Sequence, residues 1–177
     1  MLIISGSLHP SSRSRILAAA AASQLVDMGV DADVFDLATR PLPLCDGATA
    51  YGDENVVDLS ERITAAHGIL IASPIYNYDV NAAVKNAIEL TGRAWTGKVV
   101  GMMLAAGGGS SYMSAMGLAG SLMLDFRCVI VPRFVYATGD AFEGDRLADE
   151  DISGRVQTLV RETVTLAAAM QSAQRTD

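Results

Sequence analysis

Short apolar runs alternate along this chain with longer stretches in which apolar residues return every three or four positions. Residues 2–5 form the first run and end at Gly6, a strand followed by a turn. From Ser14, the positions Ile16, Leu17, Ala20, Ala21, Leu25 and Met28 keep helical spacing until Gly29 stops it. Residues 32–37 set Val34, Phe35 and Leu37 among acids and predict a second strand. Pro41, Pro43, Gly47 and Gly52 make residues 38–55 a loop. A short helix is predicted over 56–66, and a buried strand over 68–73, stopped by Pro74. The next helix covers 80–91, with Val84, Ala87, Ile88 and Thr91 on one face. A fourth strand covers 98–105 and breaks at Gly107, Gly108 and Gly109. Residues 111–124 are small, apolar and helical in period; residues 128–136, carried past Pro132, read as a fifth strand. After an acidic loop, Ile152, Val156, Leu159, Val160, Thr163, Val164 and Ala167 mark a long amphipathic helix, with Asp149 or Asp151 near its start.

Near-continuous apolar strands separated by helices indicate a parallel sheet covered on both faces. Right-handed crossovers make it a doubly wound α/β sandwich. Five strands in 177 residues fit a flavodoxin-like order, 2-1-3-4-5, better than a longer dinucleotide fold, and predict one domain over 1–177.

Composition narrows the functions. Half the residues are hydrophobic and 19% are charged, as in a globular chain. The formal charge is −7 and no basic run exists, which argues against a nucleic-acid partner. The apolar runs are far shorter than a membrane span, and Met1 enters the first of them with no basic segment, so neither an anchor nor a signal peptide is expected. Cys45 and Cys128 stand far apart, without metal-ligand spacing, as do His9 and His67; no metal site is predicted. One loop thiol and one strand-buried thiol, unpaired, suit a reducing cytoplasm.

In such a sheet, ligands bind beyond the carboxyl ends of the strands, and three loops there have unusual composition. The first, residues 6–15, carries Ser7, Ser11, Ser12 and Ser14 with His9, Arg13 and Arg15 at a helix start. Free N–H groups, hydroxyls and a guanidinium suit a phosphate, and the same serines also read as a plain helix cap. The second, Ser73, Pro74, Ile75, Tyr76, Asn77 and Tyr78, offers a flat hydrogen-bonding edge for a planar ring, or a rigid tyrosine-capped loop. The third contains Gly107, Gly108, Gly109 and Ser110, where bare backbone lets a ligand approach. No GK[ST] ending, GxGxxG or GxSxG is present, the first loop has no cysteine, and Ser73 stands where a response regulator needs an acid. No pair of residues is spaced for general acid–base work.

The segments GSLHPSSRS, SPIYNYDVNAAVKNAIE and AAGGGSS, in this order, resemble the three flavin loops of the NAD(P)H-dependent FMN reductases. Pro74 to Asn77 together with Lys85 to Glu89 carry the specific part of the likeness, and His9 stands where many members have arginine. The resemblance implies a flavodoxin-like fold, non-covalent FMN, NAD(P)H as co-substrate, and a homodimer or homotetramer. By position, it assigns Ser7, Ser12, Arg13 and Ser14 to the FMN phosphate, with His9 in the same loop. Pro74, Ile75, Tyr76 and Asn77 would line the ring, and Gly107, Gly108 and Ser110 its polar edge. Lys85, Asn86 and Glu89 read as structural. The implied partners are a small-molecule acceptor (flavin, quinone, azo compound or metal oxyanion) and a flavin-using enzyme. A one-electron carrier of the flavodoxin kind is the alternative, and a scaffold that lost its ligand is the non-enzymatic one. The uncharged helix over 111–124 needs cover on two sides, and a partner subunit is the expected second cover.

Overall fold

The computed structural model describes residues 1–174; the last three positions of the predicted 1–177 domain lie outside the described residues. In chain order the strands are β1 (Leu2–Ser5), β2 (Asp33–Asp36), β3 (Gly68–Tyr76), β4 (Asp79–Val80), β5 (Val99–Ala105), β6 (Val129–Ile130), β7 (Val135–Ala137), β8 (Phe142–Glu143) and β9 (Arg146–Leu147). The α-helices are α1 (Arg13–Asp27), α2 (Glu54–Ala65), α3 (Ala82–Thr91), α4 (Ala115–Phe126) and α5 (Glu150–Gln174). The main sheet runs β2-β1-β3-β5-β6 with parallel pairing, and β7 joins the same edge of β5. This is the expected flavodoxin-like order, with β6 and β7 as two halves of the fifth strand.

Alternation along the strands divides the core in two. Leu2, Ile4, Ile69, Ile71, Val100 and Met102 meet Leu59, Ile63, Val84, Ile88 and Leu122 of α2, α3 and α4. Ile3, Leu70, Val99 and Met103 meet Leu17, Ala21 and Leu25 of α1 and Val156 and Leu159 of α5 on the other face. Full burial of each such Leu or Ile contributes about 1.5–3 kcal/mol, which is why the central strands carry no polar face.

The predicted elements differ from the observed ones in four places. Strand β3 does not stop at Pro74. That residue pairs in register with Ala105, and its carbonyl accepts a hydrogen bond from Asn81 N at 3.2 Å, so the missing N–H leaves the strand intact. Beyond it, β3 and β4 form a hairpin closed by Asn77 and Tyr78, with φ of 50° and 66°. A two-residue turn with both φ positive matches the twist of its strands, and asparagine tolerates it far better than tyrosine does. The fifth strand is interrupted over residues 131–134, where Pro132 lacks a donor and Arg133 has φ 61°. The helix predicted from 111 begins as a 3-10 turn, Gly109–Ser114, and becomes α-helical only at Ala115. The acidic loop holds the small β8–β9 hairpin, and Asp149 accepts from Ile152 N at 3.0 Å at the start of α5.

The two thiols have different surroundings. Cys128, next to β6, is 5% exposed and donates to the Trp95 carbonyl at 3.1 Å. Burial pushes its pKa up to about 11. Cys45 lies half-buried in the loop before α2. A disulfide-exchange reagent at pH 8 is therefore expected to titrate one thiol per native chain and the second only after unfolding, because the thiolate is the reacting form. Rapid labelling of both in the native protein would contradict the burial of Cys128. Among the described residues, no helix is long and apolar enough to cross a membrane.

Candidate functional site

The loops after β1, β3 and β5 meet at the carboxyl edge around a 340 Å3 crevice. Its wall takes Ser7, His9, Ser12, Arg13 and Ser14 from the first loop, Pro74, Ile75 and Tyr76 from the second, and Gly107 from the third. Ala105 and Ala106, which the sequence did not single out, complete it. Asn77, Gly108 and Ser110 are not in the wall: Asn77 closes the hairpin, and Ser110 lies in the 3-10 turn. The 840 Å3 hollow between the ends of α3 and α4 is larger, but no strand end reaches it, and Lys85, Glu89, Arg93 and Asp125 line it with mixed charge.

The first loop is ordered by its own serines. Ser7 is 1% exposed, and its Oγ accepts from His9 N at 3.2 Å. His9 Nδ1 accepts in turn from Ser11 N at 3.1 Å. Ser12 is the N-cap of α1, its Oγ accepting from Ser14 N at 3.2 Å and lying 2.7 Å from Ser14 Oγ. The capping reading of the serines is therefore right, and it is compatible with the anion reading, since Ser7 keeps its proton to donate and so does one hydroxyl of the Ser12–Ser14 pair. The two arginines separate here. Arg15 pairs with Asp36 at 2.7 Å. Arg13 makes no ion pair among the described residues; its guanidinium lies 5.9 Å from the Phe142 ring centre and on the crevice wall. Asp140 nearby sits below its usual pKa, chiefly through the Thr138 hydroxyl bond, with a smaller contribution from the Arg13 charge.

Two braces that the sequence did not reveal hold the loops together. Asn81, the N-cap residue of α3, is 6% exposed. Its Nδ2 donates to the Gly6 carbonyl at 2.7 Å, and its Oδ1 accepts from Ser73 Oγ at 3.0 Å, so one side chain ties the first loop to the second. Gly6 must be glycine for the same closeness: a Cβ there would lie 2.3 Å from Val84 Cγ2 and 3.1 Å from the Ala72 carbonyl oxygen. The second brace is Tyr136, whose hydroxyl donates to the Gly108 carbonyl at 2.5 Å while its ring meets Tyr112 edge-on at 5.6 Å. Neither was legible, because an asparagine before a helix and a tyrosine in a strand carry no signal of their distant partners.

The residues present fit a phosphate-bearing planar group. At one end lie the start of α1 with its dipole, three hydroxyls and the Arg13 guanidinium, which has no ion pair among the described residues. At the other lie Ile75 and the half-exposed Tyr76, with bare backbone at Gly107, where a Cβ would meet nothing within 4 Å. Among the described residues, no cluster of acids, histidines or thiols is placed to hold a metal.

A doubly wound parallel sheet with these three loops at its switch point defines a flavodoxin-like protein of the flavin-binding class. Residues 1–143 match the model of the NADPH-dependent FMN reductases, and the chain belongs to that family. An NADPH azoreductase of Bacillus sp. (strain OY1-2) is 26% identical over 164 residues, 92% of this chain and 89% of that one. An NAD(P)H-dependent FAD/FMN reductase of Geobacillus thermodenitrificans is 28% identical over 147 residues, 81% and 79% of the two chains. Among solved structures, a flavoenzyme NAD(P)H:(acceptor) oxidoreductase from Paracoccus denitrificans superposes with a TM-score of 0.78 over 96% of this chain and 97% of its own, at 22% identity, a likeness of fold.

Proposed function

We propose that this chain holds FMN in the carboxyl-edge crevice and uses it to move reducing equivalents from NAD(P)H to a small acceptor of the azo or quinone type. Family membership makes it an FMN-dependent NAD(P)H oxidoreductase and gives no support to the one-electron carrier. The observation that carries the placement is the meeting of a serine-rich helix start, an aromatic hairpin and a side-chain-free turn in one cavity. Ser7, Ser12, Ser14 and Arg13 bind the phosphate. Pro74, Ile75 and Tyr76 support one side of the ring and Gly107 approaches its polar edge, while Asn77, Gly108 and Ser110 lie outside the wall and flank the ring where it leaves the crevice. His9 shapes the first loop through its bond from Ser11. When bound, FMN supplies the two-electron chemistry, and the protein supplies position and exclusion of water. No side chain is assigned a proton-transfer role.

The protein works as one domain, in the cytoplasm. Two copies pair through α4, where Met116, Met123 and Leu124 are 49%, 42% and 82% exposed beside the small residues Gly117 and Gly120. A flavin-using enzyme is a further partner of this reading. The test is a visible spectrum of the protein with FMN, followed by anaerobic NADH or NADPH. Uptake of FMN and bleaching by at least one nicotinamide is expected; failure to take up FMN, or FMN bound but reduced by neither, would overturn the proposal.

A further inference from the structure

Strand β7 holds the third loop at two points, one on each side of Gly107. Ala137 pairs in register with Ala105, and its carbonyl accepts from Ala106 N at 2.9 Å. The residue before it, Tyr136, donates its hydroxyl to the Gly108 carbonyl at 2.5 Å. Gly107 lies between these two pins and on the crevice wall. Its own N–H has no partner among the described residues. Gly107, Gly108 and Gly109 follow one another, and such a run has wide conformational freedom, so an unpinned loop would leave that N–H without a fixed direction. The near pin is a continuation of the sheet. The far pin is the Tyr136 hydroxyl, and no other side chain bonds to the three glycines among the described residues. Tyr136 is itself a rigid post. It is 9% exposed, it pairs in register with Leu104, and its ring is met by Tyr112, which lies 5.0 Å from Phe134 in turn. It does not line the crevice, so it holds the loop without occupying the space a ligand needs.

Resting on the placement of FMN in the crevice, we infer that Tyr136 is a positioning residue for the flavin ring: its hydroxyl, through Gly108, holds the unpaired Gly107 N–H ready to donate to the ring's polar edge. That edge carries oxygen and nitrogen acceptors that gain electron density when the ring is reduced. A donor fixed in advance needs no ordering when the ligand arrives, which favours binding. It also favours the electron-rich form of the ring over the oxidised one. Tyr136 thus acts at the ring end of the crevice, whereas Ser12 and Ser14 act at the phosphate end, and the two roles leave different signatures.

The experiment compares the parent with Tyr136→Phe, which keeps the packed ring and removes only the hydroxyl. Fluorescence titration should find FMN and riboflavin both weakened, and by the same factor of about two to ten, because the lost bond serves the ring that they share. The midpoint potential of bound FMN, measured anaerobically against reference dyes, should be more negative in the variant. A side chain needed for stability alone would lower the melting temperature and leave the affinities and the potential where they are. In flavin-free protein, the amide resonances of Gly107, Gly108 and Gly109 should shift or broaden in the variant, while that of Gly6 stays in place. Parent-like affinity for riboflavin, a loss confined to FMN, an unchanged potential or unmoved glycine resonances would each overturn the inference. If the parent itself takes up no FMN, the placement of the flavin fails and the role of Tyr136 falls with it. If the parent binds FMN and the variant matches it, the role of Tyr136 alone is struck.

Discussion

Asn81→Asp is expected to cost about 3–5 kcal/mol of stability at pH 7, the range for an uncompensated buried charge. The substitution keeps the shape and removes the donor. Nδ2 of Asn81 stands 2.7 Å from the Gly6 carbonyl oxygen, and the position is 6% exposed. A carboxylate there would set oxygen against oxygen without water, whereas a protonated carboxyl could still donate to Gly6. Desolvation therefore raises the new group's folded pKa above its unfolded value of about 3.9. A raised acid binds its proton more tightly in the folded protein, so the stability is present at low pH and is lost as pH rises towards the folded pKa. The gap to the parent should narrow as pH falls from 8 to 5. Urea midpoints at several pH values measure it, and a gap that stays constant would mean that Asn81 contributes packing alone.

FMN should bind at least about a hundredfold more tightly than riboflavin, which has the same ring and no phosphate. A hydrogen bond to a charged group contributes about 1.5–3 kcal/mol, so two such bonds among Ser7, Ser12, Ser14 and Arg13 already suffice. The double variant Ser12→Ala, Ser14→Ala should lower FMN affinity about tenfold or more and leave riboflavin nearly unchanged. Because Ser12 also caps α1, that variant should lose about 1 kcal/mol of stability even without ligand. Flavin fluorescence titrations read the first effect, and thermal unfolding reads the second. Equal constants for FMN and riboflavin would remove the first loop from the phosphate.

The central layer was legible because burial on both faces leaves β1, β3 and β5 only apolar choices. The strand order itself was not visible in the chain and was expected from the number of strands and the length alone, and nine of the twelve expected site residues line the crevice. What escaped depends on partners far away in the chain. Pro74 reads as a stop, but the strand continues because Ala105 and Asn81 hold it from either side. The hairpin beyond it was hidden because tyrosine is a poor residue for a positive φ, and Tyr78 adopts one all the same. Asn81 looks like an ordinary polar residue at a helix start, and only the folded chain brings it to Gly6. Residue type alone left Arg13 and Arg15 equivalent; the resemblance pointed to Arg13, and the pairing of Arg15 with Asp36 supplies a physical reason.

The Gly6–Asn81 tie also bears on how the site comes into being during synthesis. Asn81 follows Gly6 by 75 residues. At about 5–20 residues per second, the first loop leaves the ribosome on the order of 4–15 seconds before the side chain that holds it. Throughout that interval the serines are present but their frame is not, since β3 and the start of α3 have yet to be made. A nascent chain that ends before Asn81 thus carries every hydroxyl of the anion loop without the brace that fixes it. The third loop, from Gly107, is made later still, so the three loops around the crevice can meet only in the second half of the chain's synthesis.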